Sequence, residues 1–333
     1  MHAEMKKVIF IGGTSFSGST FLDMILANDP RGFSCGEVRA LFHPWRPHHF
    51  NPECGCGDEN CEVWRQVLQN GEKNLYETIF SLFDVDFILD SSKDLFWIKK
   101  QMRYLGKQNV EVKNVLIWKT PLELAYSFKK RGRLKEWKKS WINYHRAYFT
   151  LIGPHLAVKY SDLTKDEKAL IKICEYLEIP YFAEKIHYWE KTHHTLFGNT
   201  SAKIHLYAKD SEKFQRKQIE LLSLADKTDS NAQIEYRNVY YETVKERALI
   251  EWVERELKSD SYFEKLMVIL DSAGTYEKSD LQRKINEIEL PMTKIRAKKL
   301  ISIVAHSPFT RLKLKIIKFL NKTGIGVNTC HFL

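Results

Sequence analysis

The sequence has no uninterrupted apolar run of about 18 residues, the length at which a membrane-spanning helix becomes a candidate. It has only 6 cysteines in 333 residues, too few for a fold held together by disulfides. Residues 1–7 lack the longer apolar stretch and the small-residue cleavage site of a signal peptide. We therefore expect a cytoplasmic protein. Hydrophobic residues make up 44% of the chain, which excludes a wholly disordered protein.

Acidic residues are missing from one part of the chain. From Pro291 to the C-terminus there is no Asp or Glu, but there are nine Lys and Arg residues. The rest of the chain holds 43 basic and 42 acidic residues, so the net charge of +10 comes almost wholly from this tail. A nearly neutral remainder argues against nucleic acid as a partner of the main domain.

Short apolar runs alternate with segments of helical spacing over the first half of the chain. The predicted strands are Lys7–Ile11, Asp86–Leu89, Asn114–Trp118 and Leu156–Tyr160, and the predicted helices are Thr20–Asn28, Leu122–Arg131, Lys135–Leu151 and Asp166–Leu177. Continuously apolar strands that alternate with helices are typical of a mostly parallel α/β sheet. We predict an α/β core over residues 1–205, a helical extension over 206–290 that packs on it, and a basic tail over 291–333.

A segment rich in glycine and serine, Gly12–Leu22 (GGTSFSGSTFL), joins the first predicted strand to the first predicted helix. Backbone N–H groups at a helix N-terminus suit an anion, and glycine lets the backbone approach it closely. We interpret the segment as a phosphate-binding loop, the alternative being an ordinary capped turn. It is not a Walker A loop, because no lysine occurs between Lys7 and Lys73.

This loop and five later elements together resemble the sulfotransferases that use 3′-phosphoadenosine 5′-phosphosulfate (PAPS). The similar elements are, in chain order, Ser17-Gly18-Ser19-Thr20 with Gly36-Glu37, Cys54-Gly55-Cys56-Gly57 with Cys61 and Trp64, Asp90-Ser91-Ser92-Lys93, Lys119-Thr120-Pro121 with Ser127, Tyr160-Ser161-Asp162-Leu163, and His194-Thr195 with Gly198-Asn199. The resemblance implies PAPS as co-substrate with no metal required. It also implies a P-loop NTPase-like three-layer α/β/α fold with a mostly parallel sheet and a helical C-terminal region.

Two phosphates of the co-substrate would be bound by different elements. In the family the serine-rich loop binds the 5′-phosphate, and an Arg-Asp-Pro…Ser element binds the 3′-phosphate. The residues assigned to cofactor binding are Ser15, Ser17, Gly18, Ser19, Thr20, Lys119, Ser127, Asn199 and Lys203. Phe16, Thr120 and Ala202 stand where the family usually has charged residues. These departures leave open a catalytically degenerate nucleotide-binding protein on the same fold, and an atypical nucleotide-dependent kinase is a further alternative.

Transfer to a hydroxyl needs a group that accepts the hydroxyl proton. The resemblance implies Glu37 as this base, and His194 is the second candidate, with a structural or acceptor-binding role as its alternative. Lys93 is expected to stabilise the developing charge in place of the cation that is missing at Phe16. The expected acceptor is a hydroxyl on a carbohydrate, a lipid or a small metabolite.

Cys54, Cys56 and Cys61 lie near three histidines in the sequence, His43, His48 and His49. Such a density of Cys and His can form a zinc site, although the C-x-C-x4-C spacing is not that of a standard zinc finger or ribbon. Free thiols in an ordered loop, a structural zinc ion and a disulfide are the three alternatives. We adopt free thiols and assign no metal ligand from the sequence.

The basic tail contains a segment, Thr310–Lys322 (TRLKLKIIKFLNK), that can form an amphipathic helix. Its apolar face consists of Leu312, Ile316, Phe319 and Leu320. This pattern fits binding to an acidic partner or to an anionic membrane surface, which would make the protein peripheral at a membrane, but it does not by itself decide against packing on the domain. The alternative is a helix that packs on the domain with a solvated basic face.

Overall fold

The computed structural model describes residues 5–165, 167–206, 244–259, 261–271 and 275–276, together with Glu212 and Gln215. The tail over 291–333 with its amphipathic segment lies outside the described residues, and so does most of the predicted extension over 206–290.

Strands and helices alternate along the described part of the chain. The strands are β1 (Lys7–Gly12), β2 (Gly32–Ser34), β3 (Phe87–Asp90), β4 (Glu111–Trp118), β5 (His155–Lys159) and β6 (Thr275–Tyr276). The α-helices are α1 (Ser19–Ala27), α2 (Arg39–Phe42), α3 (Glu62–Asn70), α4 (Leu75–Leu82), α5 (Leu95–Leu105), α6 (Pro121–Lys129), α7 (Trp137–Leu151), α8 (Tyr160–Lys165), α9 (Glu167–Leu177), α10 (Thr200–Lys203), α11 (Arg247–Lys258) and α12 (Ser261–Asp271). Short 3-10 helices cover Pro47–Phe50, Glu72–Asn74, Leu134–Glu136, Ala183–Ile186, Tyr188–Glu190 and Ile204–Leu206. None of the described helices combines the length and apolar character that crossing a membrane takes.

The strands form one sheet in the order β2-β3-β1-β4-β5-β6. The first five are parallel to their neighbours, and β6 is antiparallel to β5. The strands that follow β1 in the chain, β2 and β3, lie on one side of it in the sheet, and β4 and β5 lie on the other side. The gap between the carboxyl ends of β1 and β4 is therefore a topological switch point, the place where open α/β sheets bind ligands.

Helices cover both faces of the sheet. On one face Ile9, Val115 and Ile117 belong to a buried cluster that includes side chains of α1 and α9. On the other face Phe10 packs edge-on against Tyr76 of α4, with 6.0 Å between ring centroids. Neighbouring residues of β1 point to opposite faces, so apolar residues along the whole strand are needed for burial on both sides. The predicted fold class, a three-layer α/β arrangement with a mostly parallel sheet, is confirmed.

The four predicted strands correspond to β1, β3, β4 and β5, with shifted ends. The prediction that Tyr160 ends the last of these strands is wrong, because β5 ends at Lys159 and Tyr160 opens α8. Strand β4 begins three residues before the predicted Asn114, since Glu111 already pairs with Lys7 of β1.

Candidate active site

Four candidate residues follow the carboxyl ends of four neighbouring strands. Glu37 follows β2, Lys93 follows β3, the loop of Ser17 follows β1, and Lys119 follows β4. Because these strands are parallel neighbours, the segments after them emerge at the same edge of the sheet. We call this region the carboxyl edge.

The loop between β1 and α1 presents an uncapped helix N-terminus. Gly18 is the N-cap residue of α1, and no described side chain caps the helix's first turn. The φ angle of Gly18 is 100°, and a Cβ atom there would lie 2.3 Å from the ring of Tyr160. A side chain at this position would be strained as well as crowded, so glycine is required. The first-turn N–H groups are left to bind an anion.

The hydroxyl of Ser17 is an unsatisfied polar group of this loop. Its oxygen is fully buried and has no hydrogen-bond partner among the described residues. Leaving such a group unsatisfied costs about 1–3 kcal/mol, and a phosphate oxygen beside the helix N-terminus would remove that cost. Ser15 lies exposed in the same loop, whereas the side chain of Ser19 is buried.

The segment after Gly198 contacts the start of α1. The Thr20 hydroxyl oxygen accepts the backbone N–H of Asn199 at 3.0 Å. The side-chain oxygen of Asn199 caps α10 by accepting the N–H of Ser201 at 2.9 Å. Lys203 lies buried in the same short helix. The structure thus brings Asn199 to the loop, but it uses the Asn199 side-chain oxygen as a helix cap.

Lys119 and Ser127 lie together at the end of β4 and in the following helix. The Nζ atom of Lys119 donates to Ser127 Oγ at 3.2 Å, and it lies 4.3 Å from the centre of the Tyr160 ring. Between them, the Thr120 hydroxyl accepts the Glu123 N–H, and the Glu123 carboxylate accepts the Thr120 N–H. This capping box holds the start of α6, so threonine keeps a capping role where the resembled family has aspartate.

Burial lowers the pKa of Lys119 to about 8, because desolvation disfavours the charged ammonium. The positive charges of Arg131 and Lys130 lower it further, whereas Glu123 raises it. An anion bound beside Nζ would favour the charged form. The position therefore holds a buried cation beside a hydroxyl.

Glu37 and Lys93 form an ion pair on the other side of the loop. The Nζ atom of Lys93 lies 2.5 Å from Glu37 Oε1, and the two side chains are 15% and 22% exposed. Lys93 Nζ also donates to the Ser91 carbonyl oxygen at 3.2 Å. The backbone of Glu37 is fixed by a 2.9 Å hydrogen bond from its N–H to the Leu196 carbonyl. A carboxylate and an ammonium group are thereby held together and remain reachable from solvent.

Tyr144 of α7, which the sequence analysis missed, connects the loop to Lys93. Its hydroxyl oxygen accepts the Gly13 N–H at 2.8 Å, and its O–H donates to the Lys93 carbonyl at 2.8 Å. Burial raises the pKa of Tyr144, so the hydroxyl keeps its proton. The only sequence signal for this residue was an aromatic position in a predicted helix.

Arg131 is a second residue that the sequence analysis missed. Its guanidinium carbon lies 4.1 Å from the centre of the Phe16 ring, and its Nη1 donates to the Ser127 carbonyl at 2.8 Å. The structure therefore places a cation on the apolar ring of Phe16. Its spacing, one helical turn after Ser127, was the available signal.

His194 lies among cysteines. Its Nδ1 atom is 3.3 Å from Cys61 Sγ and 3.7 Å from Cys54 Sγ. The histidines that are close in sequence have other partners: His43 pairs with Glu72, and His49 accepts the N–H groups of the Trp45–Arg46 segment. Glu37, the other candidate base, is paired with a cation instead.

No protein-family model and no curated protein matches this chain. Solved structures similar to it include two sulfotransferase domains and a sulfotransferase. The sulfotransferase domain from the Synechococcus PCC 7002 olefin synthase is 17% identical, with 77% of this chain and 96% of that domain covered and a TM-score of 0.43. The sulfotransferase domain from the curacin biosynthetic pathway is 14% identical, with 77% and 99% covered and a TM-score of 0.40. Sulfotransferase STF9 from Mycobacterium avium is 13% identical, with 67% and 78% covered and a TM-score of 0.33.

Proposed function

We propose that the protein is a sulfotransferase that moves a sulfuryl group from PAPS to an acceptor hydroxyl on a carbohydrate, a lipid or a small metabolite. One observation carries the proposal: two groups of anion-binding donors follow β1 and β4, on either side of the switch point. The first is the uncapped N-terminus of α1 with the partnerless Ser17 hydroxyl. The second is the Lys119–Ser127 pair. A nucleotide with phosphates on both its 5′ and 3′ sides matches this pair of positions.

The residues of the loop would bind the 5′ side. The first-turn N–H groups of α1 and the Ser17 hydroxyl would donate to the 5′-phosphate, and Ser15, Ser19 and Thr20 add hydroxyls around it. Lys119 would bind the 3′-phosphate as the cation, and the Ser127 hydroxyl would turn to it from the Glu123 carbonyl, to which it donates at 2.9 Å. Asn199 and Lys203 would support the loop from the side of α10, since Asn199 already bonds Thr20.

The chemistry of the bound nucleotide is that of an activated sulfuryl donor with a bisphosphate leaving group. Glu37 would accept the proton of the acceptor hydroxyl as the new S–O bond forms and the S–O bond to the leaving phosphate breaks. Lys93 orients Glu37 through their ion pair and places positive charge where negative charge develops. Arg131 on Phe16 would add a further cation near the 3′ side.

The proposal is tested by calorimetric titration with 3′-phosphoadenosine 5′-phosphate (PAP), ADP and ATP, each with and without magnesium. We expect PAP to bind without metal and at least about tenfold more tightly than ADP, because only PAP occupies both anion positions. Ser127→Ala and Lys119→Ala should weaken PAP binding. A screen of acceptor hydroxyls with PAPS then measures turnover directly.

Two results would replace the proposal. Magnesium-dependent ATP binding with no PAP binding would indicate an atypical kinase. Metal-independent PAP binding with no turnover on any acceptor class would indicate a nucleotide-binding protein on the same fold. Phe16 is the observation that favours this last alternative, since an aromatic ring occupies the place of a charged residue.

A further inference from the structure

Cys54, Cys56, Cys61 and His194 bring four ligand atoms together on the described part of the chain. Their Sγ and nitrogen atoms all lie within 4.8 Å of one another. Cys54 and Cys61 are buried, Cys56 is half-buried, and none of the three forms a disulfide. We infer that this group is a structural zinc site, separate from the proposed transfer reaction.

The distances fit four ligands around one ion. Zinc–sulfur bonds of about 2.3 Å and zinc–nitrogen bonds of about 2.0 Å place tetrahedral ligands roughly 3.6 Å apart for S and N. The observed separations from His194 Nδ1 are 3.3 Å to Cys61 Sγ and 3.7 Å to Cys54 Sγ. A disulfide requires sulfur atoms about 2.05 Å apart and would leave the third thiol and the imidazole unused.

The chemistry of the ligands selects the metal. Three thiolates and one imidazole are a Cys3His set, which prefers zinc over the hard cations that oxygen ligands bind. Binding breaks three S–H bonds, releases three protons to solvent, and forms three Zn–S bonds and one Zn–N bond without any change of oxidation state. Four protein ligands close the coordination sphere, so the site stabilises structure and offers no open position for catalysis.

The surrounding structure holds the ligands in position. The Trp64 indole N–H donates to the His194 carbonyl at 2.8 Å, and the Phe33 ring stacks parallel to the imidazole. The N–H of Gly55 donates to the Thr195 carbonyl at 2.9 Å. A Cβ atom on Gly55 would lie 2.7 Å from the His193 carbonyl, so glycine permits the close approach of the two segments.

The site also lies next to the segment that positions Glu37. Leu196, two residues after His194, forms one isolated β-bridge with Gly36 and another with Cys54. Its carbonyl accepts the Glu37 N–H. A metal ion at this place would fasten the cysteine loop to a segment that is distant in sequence. Metal loss is therefore expected to loosen the backbone at Glu37 as well.

The test is metal analysis of the full chain, purified under reducing conditions with its affinity tag removed. We expect about one zinc ion per chain in the wild type and almost none in Cys61→Ser and His194→Ala, as a four-ligand site requires. Cys174→Ala and His43→Ala are matched controls outside the cluster, and both should keep the metal. Cobalt added to the metal-free wild type should give the intense thiolate absorption of a tetrahedral site.

A second measurement tests the zinc site in the wild type, in case the variants do not fold. A mercurial reagent that blocks thiolates should release one zinc ion from the folded wild type, detected with a chromophoric chelator, and should lower Tm. Wild-type protein that contains no zinc and takes up no cobalt after reduction would overturn the inference. A Cys54–Cys61 disulfide detected by mass spectrometry in the native protein would overturn it too.

Discussion

Lys93 and Glu37 follow two strands that are separated in the chain by the 52 residues 35–86 but lie side by side in the sheet, and their Nζ and Oε1 atoms are 2.5 Å apart. The pair lies beside the loop of Ser17, which follows the next strand. One member accepts protons and the other carries positive charge. The proposed transfer gives the two residues separable roles, and each role is tested by its own variant.

Glu37→Gln should abolish most turnover while leaving PAP binding nearly unchanged. The amide keeps the size of the side chain but cannot accept the acceptor proton, and loss of a general base costs about 10²–10⁴-fold in kcat. Steady-state kinetics with PAPS and calorimetry with PAP make the comparison. Glu62→Gln is the control, because Glu62 is an exposed carboxylate that pairs with Arg65. Full turnover in Glu37→Gln would remove Glu37 as the general base.

Lys93→Met should lower kcat by about 10²–10³-fold, the usual effect of removing a group that stabilises transition-state charge. The methionine keeps much of the aliphatic length but removes the ion pair with Glu37. Lys100→Met is the control. Lys100 lies on α5 and pairs with Glu72, so this variant also removes a lysine–glutamate ion pair, but not the one with Glu37. Lys93→Met protein with wild-type PAP binding and turnover would remove Lys93 from the mechanism.

PAP affinity should fall as the pH rises past about 8, the pKa to which burial lowers Lys119. A phosphate with a pKa of about 6 is already fully ionised there, so the loss comes from the lysine. Above this pH each unit should weaken binding by up to about tenfold. Calorimetry from about pH 7 to about pH 9.5 measures the slope, and Lys119→Arg should flatten it because arginine stays charged.

The stability of the ligand-free protein should change in the opposite direction. The folded-state pKa of Lys119 lies below its ordinary value of 10.5, so the unfolded chain binds more protons between the two values. The contribution of Lys119 to stability therefore rises with pH across that window.

PAP affinity that stayed constant through pH 8 in the wild type would remove Lys119 from the 3′-phosphate site.

Much of the fold was predictable because its central strands are continuous apolar runs. Lys7–Ile11 and Asn114–Trp118 are buried on both faces, and burial of that kind leaves a plain pattern in the sequence. Strand β2 was missed because Gly32–Ser34 has three residues, too few for a pattern. It is a strand only because it pairs with β3.

The candidate site was predictable where its residues follow strands and not where helices contribute. Glu37, Lys93 and Lys119 each stand in a short linear element, whereas Tyr144 looks like any aromatic residue of a helix.

The partner of the cysteines was missed for a related reason. His194 lies 133 residues after Cys61, and sequence proximity pointed to His43, His48 and His49 instead.

Arg131→Gln should weaken PAP binding by about 10–100-fold, the loss expected when a charged hydrogen bond to an anion is removed. The reason is that Arg131 contacts Phe16 of the loop and bonds the backbone of Ser127, so it touches an element of each proposed phosphate position. Arg133→Gln is the matched control, since Arg133 is exposed and pairs with Glu136. Equal PAP affinity in the two variants would show that Arg131 does not supply a cation to the site.

Tyr144→Phe should destabilise the protein by about 1–2 kcal/mol, because removing the hydroxyl leaves the Gly13 N–H and the Lys93 carbonyl without their partner. The loop after β1 should also lose its fixed position relative to Lys93. We therefore expect weaker PAP binding together with a lower Tm, measured by calorimetric titration and thermal unfolding.

Tyr104→Phe controls for loss of a tyrosine hydroxyl alone, because the phenylalanine keeps the ring that Lys100 covers. It should keep both the Tm and the PAP affinity of the wild type. Hydrogen exchange at the Gly13 amide reports the bond directly and should accelerate only in Tyr144→Phe. If that amide stays protected while Tm falls, then Tyr144 stabilises helix α7 and does not position the phosphate loop.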